Sequence, residues 1–157
     1  MTAQGEAESL ESRLWRWGGN LFPAYRLTGA RVIFVAAHFR EVEIEIPSNW
    51  RTRNYMGITW GGGLYAALDP IYGVMLYKLL GRRYRVVDKI ARMHFKRPVK
   101  TTLSARFHIS EDEVGDILRQ LKEGGRLERT YWVHLEDAAG VVHASCEKVV
   151  SILPRSG

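Results

Sequence analysis

The sequence predicts an α+β fold: one long buried helix with roughly five or six mostly antiparallel strands before and after it. Three observations predict it. Leu64 to Leu80 is apolar on nearly every side, with Asp69 and Lys78 its only charges, as in a helix enclosed by protein. At 1.5 Å per residue these residues would span about 25 Å, the width of a small domain. Glu41 to Ile46 and Thr101 to Ile109 alternate apolar and polar residues, the period of a half-buried antiparallel strand. The chain has 157 residues with no internal repeat and no linker, which fits one domain.

In order along the chain, residues 1–5 read as a frayed end. From Glu6 the pattern is helical: Leu10, Leu14 and Trp17 make one apolar stripe, and Gly18, Gly19 and Asn20 stop it. The stripe is expected to cover the main body, with an interfacial membrane helix as the lesser alternative. Arg31 to Phe39 and Glu41 to Ile46 read as strands, the second showing Glu41, Glu43 and Glu45 to solvent. A glycine-rich loop from Asn54 to Gly63 leads into the long helix, which Gly81, Arg82 and Arg83 end. Strands follow at Arg85 to Arg97 and Thr101 to Ile109. Ser110 with Glu113 reads as a capping box opening a short helix with Val114, Ile117, Leu118 and Leu121 on one face. Leu127 to Leu135, a turn at Asp137 to Gly140, and Val141 to Leu153 complete the sheet.

Composition excludes several classes. No run free of Asp, Glu, Lys and Arg exceeds the 15 residues from Asn54 to Leu68, too short for a membrane span. The N-terminus lacks a secretory pattern. Cys146 is the single cysteine, so an intrachain disulfide is impossible; a reducing, cytoplasmic location is expected. The net charge of +6 favours anionic partners. Nucleic acid is disfavoured, since the basic residues are scattered and no recognition motif is present. The five histidines show no paired metal-ligand spacing, so no metal and no resident cofactor are expected. His143 and Cys146 fall on opposite faces of one strand, which argues against a local Cys–His pair.

The chemistry concentrates in the middle of the chain. Gly61, Gly62 and Gly63 at the start of a buried helix expose backbone N–H groups at a positive dipole end, suited to a phosphate or a developing oxyanion. The same glycines equally fit close packing of helix on sheet. Asp69 is the one acid in the apolar stretch, and a buried carboxylate is costly unless paired or used. With Pro70 after it, Asp69 also reads as the N-cap of a second helical piece.

The run Asn54-x-x-Gly57-x-x-Trp60-Gly61-Gly62, with Asp69 beyond it, resembles the active-site segment of hotdog-fold acyl-CoA thioesterases, and Asp69 falls where phenylacetyl-CoA-type members carry their acid. Phe95-Lys96-Arg97-Pro98 resembles the family's Phe-x-Arg-Pro strand end. The segment Gly61 to Tyr72, Val87-Asp88-Lys89 and the capped helix at Ser110 to Glu123 are most similar to a hotdog branch described only as a domain of unknown function. The likeness covers residues 25–153, leaving 1–24 as tail and cover helix and 154–157 as a tail. It implies a curved antiparallel sheet wrapped around the long helix, a homodimer or a dimer of dimers, and a site between subunits. There, the helix acid of one chain faces the glycine loop of the other. The sequence departs from the family at Trp60, which stands where relatives carry histidine.

The resemblance implies hydrolysis of an acyl-CoA or acyl-carrier thioester. Gly62 and Gly63 would hold the thioester oxygen, Asp69 would activate water or attack, and Asn54 would fix the loop or the water. Trp60 and Gly61 would wall the substrate, with Asp88 secondary; a salt bridge to Lys89 or a nearby arginine is the commoner role for Asp88. CoA enters as part of the substrate, its phosphates met by Arg82, Arg83, Lys96 and Arg97 unless these are only a solvated rim. A non-catalytic module that binds acyl-CoA or lipid is the alternative.

Overall fold

A computed structural model describes residues 7–155; the reading of residues 1–6 and of the last two residues lies outside them. Six strands form one antiparallel sheet in the order β1-β2-β4-β5-β6-β3. The strands are β1 (Arg31–Val35), β2 (Glu41–Ile46), β3 (Tyr84–Phe95), β4 (Leu103–His108), β5 (Leu127–Glu136) and β6 (Val142–Pro154). The sheet curves around α3 (Gly61–Leu80), with α1 (Leu10–Leu21), α2 (Pro23–Leu27) and α4 (Glu111–Lys122) outside that core. Among the described residues no helix is long and apolar enough to cross a membrane.

The core follows from α3. Leu64, Ala67, Leu68, Ile71, Tyr72, Met75 and Leu76 recur at three- and four-residue spacing and are all buried. They meet inward residues of the sheet such as Ile44, Leu103, Phe107, Val133 and Val150. Tyr72 stacks on Tyr131 with centroids 4.3 Å apart. The helix runs unbroken through Asp69-Pro70, so Asp69 is not an N-cap. Gly61 to Gly63 form its first turn rather than a loop. Packing on the sheet outweighs the donor that Pro70 withholds from the helix.

The N-terminal segment corrects the sequence reading. Helix α1 continues through Gly18 and Gly19 to Leu21. Its expected stripe faces outward, with Leu10 75%, Leu14 65% and Trp17 62% exposed. The inward face carries Ser12, fully buried, and Trp15, whose ring meets Phe39 edge-on at 6.3 Å. Asn20 ties the helix to β1, donating to the Val32 carbonyl and accepting from the Val32 N–H.

The glutamate row of β2 is only in part a solvated face. β2 lies inside the sheet between β1 and β4, and Glu41 is 5% exposed against Arg106. Burial pushes the Glu43 carboxyl up, with Arg106 opposing. At α4 the Ser110 hydroxyl accepts from the Glu113 N–H at 3.1 Å, while the Glu113 carboxylate turns toward Arg129. Ser110→Ala is expected to lower stability by about 1 kcal/mol in urea unfolding. An unchanged midpoint would show that packing of Ile117 and Leu121 alone holds this helix.

Candidate active site

The face of α3 that the sheet leaves uncovered carries Tyr65, Ala66, Asp69, Pro70 and Val74. Asp69 Oδ1 accepts from the Tyr65 hydroxyl at 2.7 Å, one turn back on the helix. It also faces Lys148 Nζ at 3.3 Å. Lys148 is fully buried; its ammonium further donates to the Asp69 backbone carbonyl and to Asp88 Oδ2, the latter at 2.5 Å. One interior cation therefore bridges two carboxylates from different elements.

Strand geometry explains how Asp88 gets there. β3 pairs Asp88 with Val150 and Ile90 with Val149, so Lys89 is the extra residue of a β-bulge. From Phe95 back to Ala91, the helix-facing residues of β3 are those paired with Ala144, Cys146 and Lys148. An unbroken period of two would then place Lys89 inward. The bulge instead puts Asp88 inward and leaves Lys89 to bond Glu128 Oε1 at 2.7 Å on the outer face. Asp88 thus pairs with Lys148, not with Lys89 or an arginine as expected.

The two carboxylates are driven apart. Burial raises the Asp69 pKa, but the Tyr65 hydroxyl and the Lys148 ammonium more than offset it and hold this carboxyl below its ordinary value. Burial dominates at Asp88, and with the nearby Asp69 charge it pushes that carboxyl up despite Lys148. Burial and the Asp69 carboxylate likewise raise the Tyr65 phenol, so it stays a donor. The two acids titrate as a pair around one lysine, Asp69 held below its ordinary value and Asp88 above it.

Asp69 opens onto a cavity of about 500 Å³ between α3 and the α1–α2 pair, and its side chain is 45% exposed. A second hollow of about 420 Å³ lies at the start of α3 and gathers Asn54, Gly61, Phe95, Lys96 and Arg97. The loop there is tied down. Asn54 Oδ1 accepts from the Met56 N–H at 2.9 Å, and the Gly57 N–H donates to the Asn54 carbonyl with φ +73° at Gly57. The Thr59 N–H reaches the Val99 carbonyl at 2.8 Å.

Trp60 is the N-cap of α3 but has no acceptor to offer, so no side chain caps this helix. Its indole lies over the first turn, where a Cβ on Gly62 or Gly63 would strike the ring. A Cβ on Gly61 would come within 2.9 Å of the Phe95 ring. Close packing therefore requires the glycines, but only Gly61 packs on the sheet as expected; Gly62 and Gly63 make room for the Trp60 ring. The Gly63 N–H donates to the Trp60 carbonyl at 3.1 Å, while the Gly62 N–H makes no hydrogen bond among the described residues.

The sequence-derived residues thus fall into three places. Asp69 and Asp88 meet; Asn54, Gly61, Lys96 and Arg97 meet, with Trp60, Gly62 and Gly63 beside them. Arg82 and Arg83 follow the far end of α3, roughly 30 Å of helix away from its start. Lys148 and Tyr65 escaped the sequence reading. A signal for Lys148 existed: it shares the period-two face of Ala144, Cys146, Val150 and Ile152, an inward row in which a lysine is anomalous.

Solved structures share the fold. A protein of unknown function from Pseudomonas aeruginosa, PA5026, described as a probable thioesterase, superposes with a TM-score of 0.81 at 18% identity, covering 96% of this chain and 100% of that one. The thioesterase HI1161 of Haemophilus influenzae gives 0.70 at 15% identity, covering 95% and 94%. A mutant form of the thioesterase PA1618 of Pseudomonas aeruginosa gives 0.68 at 13% identity, covering 96% and 97%. Among curated proteins none matches. The fold is the hotdog fold, and a family model matches residues 20–152: the chain belongs to the family described as a domain of unknown function, DUF4442.

Proposed function

We propose that this protein hydrolyses acyl-CoA or acyl-carrier thioesters as a homodimer or dimer of dimers, at a site shared between subunits. One observation carries the reading: an ionised carboxylate, Asp69, is held by a buried ammonium on the wall of an apolar cavity. The thioesterases of the same fold support it.

Within one chain Asp69 lies seven residues along α3 from Gly62, about 10 Å. The amides that face it would belong to a second copy. β3, twelve residues long, is an edge strand bonded on one side only, and an open edge of that length invites pairing with itself. In the reaction Asp69 takes a proton from water as its oxygen attacks the thioester carbonyl. The Gly62 N–H, and that of Gly63 once the Trp60 carbonyl yields it, hold the oxyanion. Collapse breaks the C–S bond, and the departing thiolate takes up a proton, leaving a free thiol and a carboxylic acid. Asn54 shapes the loop through its amide oxygen. Lys96 and Arg97 beside the loop suit CoA phosphates, whereas Arg82 and Arg83 serve that purpose only if another subunit brings them near.

Trp60 supports a second reading. Its indole covers the glycines, which suits a module that binds acyl-CoA without cleaving it. Thiol release measured over acyl-CoAs of increasing chain length separates the two. Turnover that requires Asp69 supports the hydrolase; tight binding with no thiol released supports the module.

A further inference from the structure

Helices α1 and α2 border the uncovered face of α3, and the space between them is a half-open apolar hollow. Its wall is formed by Trp15, Gly19, Phe22 and Ala24 from α1 and α2 and by Ala66 and Val74 from α3. Asp69 is the single charged residue on it among the described residues. The hydroxyl groups on it are already used. Tyr25 donates to the Ala67 carbonyl at 3.3 Å, Thr28 to the Tyr25 carbonyl at 2.7 Å, and Tyr65 to Asp69. Besides the Trp15 indole N–H, the polar group left to meet a ligand is the carboxylate, which stands midway along the α3 wall.

We propose that this chamber is the acyl-chain site and that the α1–α2 pair sets chain length, selecting linear aliphatic thioesters of about eight to twelve carbons; this deepens the hydrolase reading and rests on it. Size and shape argue for the occupant. The lining face of α3 runs from Tyr65 to Val74, about 13 Å at 1.5 Å per residue. If a methylene is given roughly the 30 Å³ that a water molecule occupies, the 500 Å³ correspond to about sixteen such groups, so a ten-carbon chain fits with space left at the mouth. An acetyl group would leave most of the chamber empty, and a polar acyl group would find no partner. Asp69 lies near the middle of that face, about 6 Å along the helix from Tyr65 and about 7.5 Å from Val74, and is where the thioester carbonyl would meet the wall.

Gly19 supplies the test. A Cβ built there meets nothing within 4 Å, so this lining position has room for a larger side chain. The probes are ketone analogues of acyl-CoA, in which a methylene replaces the thioester sulfur, with four to sixteen acyl carbons. Titration calorimetry on the full chain is expected to show affinity rising roughly three- to fourfold per methylene up to about ten carbons and then levelling. Gly19→Phe is expected to lower the ratio of ten-carbon to four-carbon affinity at least tenfold. Val74→Phe, which narrows the chamber from α3, provides an independent second variant, and circular dichroism checks that each is folded. Affinity independent of chain length in the wild type, or an unchanged profile in both folded variants, overturns the proposal. Chain-length-dependent binding with no thiol released from the matching thioesters instead overturns the hydrolase reading and leaves the chamber assignment standing.

Discussion

Asp69→Asn is expected to lower kcat/KM for acyl-CoA hydrolysis by about 10²–10⁴, the range a positioned general base supplies. The amide keeps an oxygen to accept from Tyr65 and Lys148, so the local bonds of α3 survive while the basic oxygen is lost. Binding of the ketone analogues should change little beside that loss. The pH profile adds a second check. Because the Asp69 carboxyl is held below its ordinary value, the acid limb of kcat/KM in the wild type should fall below the usual carboxylate range, near 4. Turnover that survives in the folded variant would remove Asp69 from the chemistry.

Lys148→Met should weaken both stability and activity, with a pH dependence that packing alone would not produce. Stripping one member from a buried ionic group costs about 3–5 kcal/mol when the remaining charges are enclosed. Here Asp69 is nearly half exposed and can be partly hydrated, so about 2 kcal/mol at pH 7 is expected. Without the ammonium, Asp69 and Asp88 repel, and both carboxyls should rise. A group whose folded pKa lies below its unfolded value stabilises above that unfolded value and stops doing so as pH falls through the folded one. Asp69 is of this kind in the wild type, and Asp88, which is raised, is of the opposite kind. With both raised in the variant, the loss of stability should be larger at pH 7 than at pH 4, and the acid limb of activity should move to higher pH. Urea unfolding at the two pH values, with the rate profile, checks this. A loss equal at both values would mean that Lys148 only fills space.

The order of elements and the enclosed helix were legible because each rests on periodicity within one segment. The apolar spacing of α3, the Ser110 cap and the alternation of β4 need no knowledge of neighbours. The resemblance added the hotdog topology and singled out Asp69. The misreadings arose where a neighbour decides the outcome. The Glu41, Glu43, Glu45 row has the pattern of a solvated face, but the Arg106 side chain lies against Glu41 and Glu43 and withdraws them from water, while Glu45 stays partly exposed. Leu10, Leu14 and Trp17 have the pattern of a buried stripe, but the helix packs through Trp15 and Ser12. Gly18 and Gly19 look like a stop, yet contacts with β1 keep the helix going.

At the site, Asp69 could be found by its isolation in an apolar run, and Lys148 by its parity on β6. Asp88 could not be placed with either. Its side of the sheet depends on a bulge visible only once β3 is aligned with β6, residue by residue. The chamber beneath α1 was hidden for a similar reason, since it forms where three helices fail to touch.

The bulge gives β3 something like a reading frame. A regular strand assigns its residues to alternate sides by counting, and one additional residue inverts the count for everything beyond it. Lys89 is that additional residue, so its deletion would regularise the ladder and leave Asp88 inside. An uncompensated single-residue insertion between Ile90 and Phe95 would turn Asp88 away from the helix-facing side of the sheet and put a neighbour in its place. Sequence drift across this stretch should therefore favour replacements over changes of length, except for loss of one residue at the bulge itself.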